Sequence, residues 1–69
     1  MEEYCILSKV GQSIKALRNQ RGWSQERLSE ASGVDRTFIG KIERGEVNVS
    51  IITLCEIARA LNTDLKELL

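Results

Sequence analysis

From Leu7 to Leu69 the apolar residues of this chain recur at helical spacing, and no proline interrupts them. Val10, Ile14 and Leu17 follow i, i+4, i+7, with Leu7 one turn earlier. Leu54, Ile57, Ala58 and Leu61 repeat the rhythm as i, i+3, i+4, i+7. The β-branched spots at Val47–Val49 and Ile51–Ile52 are too short, and too close to capping residues, to argue for a strand. The chain is therefore read as all-α.

Capping residues and glycines divide the rhythm into five segments. Ser8 predicts the start of a first helix that ends near Arg21, where Gly22 can take a left-handed φ. Ser24 opens a second helix marked by Leu28 and Ala31, with Glu26 favourably placed in its first turn and Gly33 as its stop. Asp35 caps a third helix that turns Ile39 and Ile42 inward and ends at Gly45. After a short loop over 46–49, Ser50 caps the fourth, and Asn62 fits its C-terminal end. Thr63 caps a last short helix carrying Leu65, Leu68 and Leu69. Trp23, just before the Ser24 cap, stands at the staple position and packs back onto the core. Short turns between these segments give a compact five-helix bundle, one domain over residues 1–69.

At 69 residues the chain can be a stable binding module but has little room for a deep catalytic pocket. It has no histidine, and Cys5 and Cys55 lie far apart without a CxxC spacing. The Ser–His and Cys–His nucleophile pairs and the usual zinc sets are thereby removed. No phosphate-binding loop is present, so no enzyme activity, metal or cofactor is expected. Cys55 falls in an apolar helical stretch and is read as a buried, reduced thiol. No apolar run is long enough for a membrane span. Glu2 and Glu3 open the chain where a signal peptide would carry positive charge, so a cytoplasmic protein is expected.

Ten basic and ten acidic residues cancel, which taken whole argues against a nucleic-acid partner. Their distribution argues the other way. Residues 9–44 hold eight basic residues against four acidic ones, while residues 45–69 hold two against four. The positive charge sits in one block.

That block contains the most informative segment, residues 25–44. Two short helices are joined by about three residues centred on Gly33, a turn tight enough to set them at the steep angle of a helix-turn-helix. Ser29 faces the second of these helices across the turn, where only a small side chain leaves room. With Val34, Ile39 and Ile42 holding that helix to the body, Arg36, Thr37, Gly40 and Lys41 point outward. Arg36 lies at the N-terminal end, which in a recognition helix reaches base edges. An arginine can donate two parallel hydrogen bonds to guanine O6 and N7, and a threonine can offer its hydroxyl or meet a thymine methyl. Gly40 removes bulk, and Lys41 can reach a base or a phosphate. Phe38 fits either a partly exposed packing position or a contact with a thymine methyl or the sugar–phosphate wall.

From about Val10 to Leu69 the chain resembles the Cro/repressor (Xre-type) helix-turn-helix family. The matching stretches are Ile14 to Arg18, Gly22 to Leu28, Ser32 to Val34, Ile39 to Gly45 and Leu54 to Leu61. Within that family, residues 35–39 (Asp-Arg-Thr-Phe-Ile) and 48–51 (Asn-Val-Ser-Ile) resemble the controller proteins of restriction–modification systems. The resemblance implies a lambda-repressor-like DNA-binding domain of bacterial or phage origin. It implies that Arg36, Thr37 and Lys41 read bases, that Gln25 contacts a phosphate and braces the recognition helix, and that Arg44, Asn48 and Thr53 hold the DNA backbone. It also matches Arg18 and Glu43 to an ion pair between helices one and three, expected to be partly exposed and to contribute about 0–1 kcal/mol. Two positions depart from the usual pattern: Ser29 replaces an alanine, and Gly40 replaces a serine or larger polar residue.

The partners expected are double-stranded DNA and a second copy of the chain. The expected dimer seam is Ile52, Leu65, Leu68 and Leu69, with Val47 or Val49 alongside, because the inward face of the fourth helix is already filled. The leading reading is a homodimeric transcriptional regulator on a palindromic operator, specifically a controller of a restriction–modification operon. A phage-type repressor, an antitoxin, or a module that docks a protein partner remain alternatives at this point.

Overall fold

The computed structural model describes the backbone of residues 2–69 and the side chains of residues 6–69. Four helices follow one another: α1 (Glu2–Gln20), α2 (Gln25–Ser32), α3 (Arg36–Glu43) and α4 (Ile51–Ala60). A single 3-10 turn at Leu65–Leu68 comes last. The expected caps open α2, α3 and α4. Ser24, Asp35 and Ser50 each accept a backbone N–H of the following turn through a side-chain oxygen.

The helix ends are equally regular. After α3, Gly45 donates to the Ile42 carbonyl and Glu46 to the Lys41 carbonyl, at 3.0 Å each. This paired closure needs its first donor residue in the left-handed conformation, and Gly45 supplies it at φ 72°. The same closure ends α4, where Asn62 takes φ 56° and Thr63 bonds back to Ala58. It also ends α1 at Gly22.

Two expected boundaries move. Helix α1 starts at Glu2 and runs through Ser8, whose hydroxyl accepts from Gln12 one turn on instead of capping. Nothing in residues 2–7 breaks a helix, so the earlier cap was not needed. The expected fifth helix is one 3-10 turn of four residues, opened by Asp64 and not by Thr63. Four residues leave room for one turn, which closes with i→i+3 bonds from Glu67 to Asp64 and from Leu69 to Lys66.

The core is continuous through all five elements. Ile14, Leu28, Ile39, Ile57, Leu61 and Leu68 have no exposed surface. Each such side chain contributes about 1.5–3 kcal/mol by leaving water. Leu68 is therefore a core residue, which removes it from the expected dimer seam. The 3-10 turn packs on both α1 and α4, and Leu68 is the side chain it contributes to the buried cluster. Cys55 is exposed, contrary to expectation, because the inward positions of α4 are Leu54, Ile57, Ala58 and Leu61 and Cys55 lies off that face. Ala31 is exposed too. The Cys5 side chain lies outside the described residues.

One close approach sets how α3 sits on α1. A Cβ on Gly11 would lie 2.3 Å from the Ile42 carbonyl oxygen and 2.6 Å from that of Glu43. Backbone meets backbone there, and any side chain at position 11 would push the two helices apart.

Candidate nucleic-acid interface

The geometry of the α2–α3 unit is fixed by hydrogen bonds within its own turn. Gly33, at φ 79°, donates to the Ser29 carbonyl at 2.8 Å and ends α2. The Ser29 hydroxyl donates across the turn to the Val34 carbonyl at 2.6 Å. Val34 N–H in turn reaches the Ser32 hydroxyl at 3.2 Å, while Val34 itself is buried. Asp35 then accepts from Thr37 and Phe38 N–H at 3.0 and 3.4 Å, which starts α3. The serine that departs from the usual alanine at position 29 thus uses its hydroxyl to close the turn.

This frame presents the first turn of α3 to solvent. Arg36, Thr37 and Lys41 are all exposed. Phe38 is half-buried and packs against the core, in line with the packing reading of that residue. Gly40 is buried, contrary to the expectation that it faces outward. A Cβ there would lie 3.2 Å from Arg44 Nη1 and 3.6 Å from Gln25 Oε1. What its missing side chain makes room for is the Gln25 amide and the Arg44 guanidinium, both lying across α3.

Behind this face runs a buried polar chain that the spacing alone did not reveal. Arg18 Nε and Nη2 donate to the two Glu43 carboxylate oxygens at 2.8 and 3.0 Å. Arg18 Nη1 donates to the Trp23 carbonyl at 2.8 Å. Glu43 Oε1 also accepts from Gln25 Nε2 at 3.0 Å. Arg18 and Glu43 are only 8% and 7% exposed, so the pair is buried rather than the partly exposed bridge expected. The hydrogen bond that Arg18 donates to Glu43 raises the Arg18 pKa above its ordinary value, outweighing desolvation. Residues from the start of α2, the end of α3 and the last turn of α1 are tied at one carboxylate. Gln25, the expected phosphate contact, is held by that network.

Arg44 is exposed, and its Nε and Nη2 donate to Glu46 at 2.9 and 3.3 Å. This pair lowers the Glu46 carboxyl below its ordinary value, through the hydrogen bond first. Asn48 is exposed in the following loop, and Thr53 is half-buried in the first turn of α4, hydrogen-bonded to the Ser50 cap. Two guanidiniums lie over the Trp23 ring, Arg27 at 4.9 Å and Arg21 at 5.7 Å from its centre. Arg21 also donates to the Leu61 carbonyl at the end of α4.

Of the expected seam, Ile52 is 73% and Leu69 51% exposed, and Leu65 is half-buried against the core. Ile51, which the sequence reading passed over, is 58% exposed. It precedes Ile52 in the first turn of α4, where both avoid the filled inward face. Val47 and Val49 are half-buried.

A capped helix, a hydrogen-bonded turn over Gly33 and a second capped helix with a polar outer face define a helix-turn-helix protein. The helix-turn-helix family model matches residues 14–68, and the chain belongs to that family. It is 45% identical over 60 residues to the control protein C.SmaI of Serratia marcescens, covering 87% of this chain and 71% of that one. The crystal structure of the restriction–modification controller protein C.AhdI from Aeromonas hydrophila superposes with a TM-score of 0.88 at 43% identity. That match covers 91% of this chain and 96% of that one. The controller protein C.Esp1396I, solved as a tetramer with its natural 35-base-pair operator, matches with a TM-score of 0.82 at 37% identity. It covers 91% of this chain and 93% of that one.

Proposed function

We propose that the chain is a sequence-specific DNA-binding transcriptional regulator that works as a homodimer on a palindromic operator and controls a restriction–modification operon. One observation carries the reading: a turn closed by Ser29 and Gly33 holds α3 so that Arg36, Thr37 and Lys41 stand exposed along one polar edge. The likeness to C.SmaI, C.AhdI and the operator-bound C.Esp1396I supports the controller assignment.

On this reading the N-terminal turn of α3 enters the major groove. Arg36 donates a bidentate pair to guanine, Thr37 meets an adjacent base, and Lys41 reaches a base or phosphate one turn further on. Gln25 and Arg44, which converge over Gly40, clamp the backbone beside the groove, and Asn48 and Thr53 extend that contact. The basic residues of 9–44 other than the buried, paired Arg18 supply the attraction that the chain's zero net charge conceals.

One protomer covers too few base pairs for a unique genomic site, so two are needed. The apolar side chains that α4 and the 3-10 turn leave exposed, Ile51, Ile52 and Leu69 with Leu65 beside them, form the seam. Among the described residues no helix is long and apolar enough to cross a membrane.

The test is a salt series of fluorescence anisotropy on a mixed-sequence duplex. If Arg44 and Lys41 of both protomers each neutralise a phosphate, log K falls against log[salt] with a slope of about −3.6. Binding that is flat between low and moderate salt contradicts the proposed backbone contacts.

A further inference from the structure

The DNA-facing edge carries one acidic side chain whose place the function above does not explain. Glu46 lies two residues beyond α3, and its backbone is anchored there: its N–H donates to the Lys41 carbonyl at 3.0 Å. Its neighbour Gly45 makes its own bond to Ile42, so the backbone at residue 46 is held at the helix end. From that fixed point the carboxylate takes both Nε and Nη2 of Arg44. A two-pronged carboxylate on a guanidinium has the same geometry that a phosphate would use. The Lys41 ammonium also acts on Glu46, favouring its charged form. Glu46 is therefore paired with one cation assigned to DNA, within the field of a second, and is charged at neutral pH.

We propose that Glu46 is an affinity-setting residue, whose carboxylate occupies Arg44 in the free protein and is displaced by a DNA phosphate on binding. The proposal rests on the DNA-binding reading. Both side chains are more than half exposed, so each exchange loses one exposed ion pair as it gains a phosphate contact. The displaced carboxylate then lies close to the phosphates and repels them. The backbone grip is thereby held below what the basic residues alone would give, at no cost to base reading, because neither Arg44 nor Glu46 lies on the first turn of α3. A device of this kind lowers affinity for all DNA equally and keeps a regulator from being trapped on non-operator sequence.

The experiment is a double-mutant cycle of Glu46→Gln and Arg44→Ala. The probes are a mixed-sequence duplex of roughly 30 base pairs, enough for two half-sites one turn apart, and a duplex selected from a random pool by the wild-type protein. Both positions are exposed, and circular dichroism confirms that each variant is folded. Glu46→Gln is expected to bind both duplexes about two- to five-fold tighter. In the Arg44→Ala background the same substitution is expected to tighten binding less than in the wild type. A Glu46→Gln variant that binds no tighter than wild type overturns the proposal, as does an equal gain with and without Arg44. Wild-type protein that binds neither duplex overturns the DNA-binding reading itself, a result distinct from either.

Discussion

Replacing Glu43 by alanine strands the Arg18 guanidinium inside the protein. The carboxylate accepts three hydrogen bonds, two from Arg18 and one from Gln25, and only 7% of the residue is exposed. Removing one partner of a buried ion pair costs about 3–5 kcal/mol. The lower end applies here, because Arg18 keeps its bond to the Trp23 carbonyl and a weaker one to Asn19. About 3 kcal/mol is a large share of the roughly 3–10 kcal/mol available to a chain of this size. Glu43→Gln retains one acceptor oxygen, so it should cost less, about 1–2 kcal/mol. The double variant Arg18→Met, Glu43→Leu removes both charges and should return to within about 1 kcal/mol of the wild type, since apolar replacements of buried pairs are often neutral. Urea unfolding followed by circular dichroism reads all three variants, with a constant m-value as the check on two-state behaviour. If Glu43→Ala costs less than about 1 kcal/mol, the pair behaves as a surface bridge and the buried-network argument is wrong.

Four further outcomes follow from particular residues. Gly40→Ala should stabilise the fold by about 0.5–1 kcal/mol through helix propensity. It should also weaken DNA binding, because the new methyl displaces Arg44 beside Gln25; stability and affinity measured on the same sample check the opposite signs. Ser29→Ala removes the hydroxyl that closes the turn onto Val34 and should cost about 0.5–1.5 kcal/mol in urea unfolding. Ile52→Asp should abolish dimers in sedimentation while leaving the monomer folded. Leu68→Ala, by contrast, should cost about 2–5 kcal/mol of stability as a core cavity; a Leu68→Ala variant as stable as wild type would return that residue to the seam.

What could be read in the sequence was what depends on near neighbours. Ser24, Asp35 and Ser50 bond to backbone two or three positions away, so residue type and position sufficed to place α2, α3 and α4. Gly22, Gly33 and Gly45 mark helix ends for the same local reason. Contacts between distant segments left weaker traces. Gly11 looks like an ordinary weak residue in a helix, because its partner is the backbone at residues 42 and 43. Gly40 was placed on the outer face by helical spacing, yet Gln25 and Arg44 fold over it from either side. Leu68 looked surplus because the inward face of α4 was already full, whereas the 3-10 turn supplies it to the same core. Cys55 was legible and misread: the spacing that turns Leu54, Ile57, Ala58 and Leu61 inward leaves position 55 outside. Arg18 and Glu43 were paired by resemblance, but their burial depends on how α1 and α3 cross.

The central claim is that α3 reads bases through Arg36, and its most direct measurement compares two affinities before and after Arg36→Ala. One probe is a duplex selected from a random pool by the wild-type protein, and the other has mixed sequence. Arg36→Ala is expected to lose about 1–3 kcal/mol on the selected duplex for each bidentate base contact removed, roughly five- to 150-fold, with only a small change on the mixed one. An equal loss on both would make Arg36 a phosphate anchor and not a base reader.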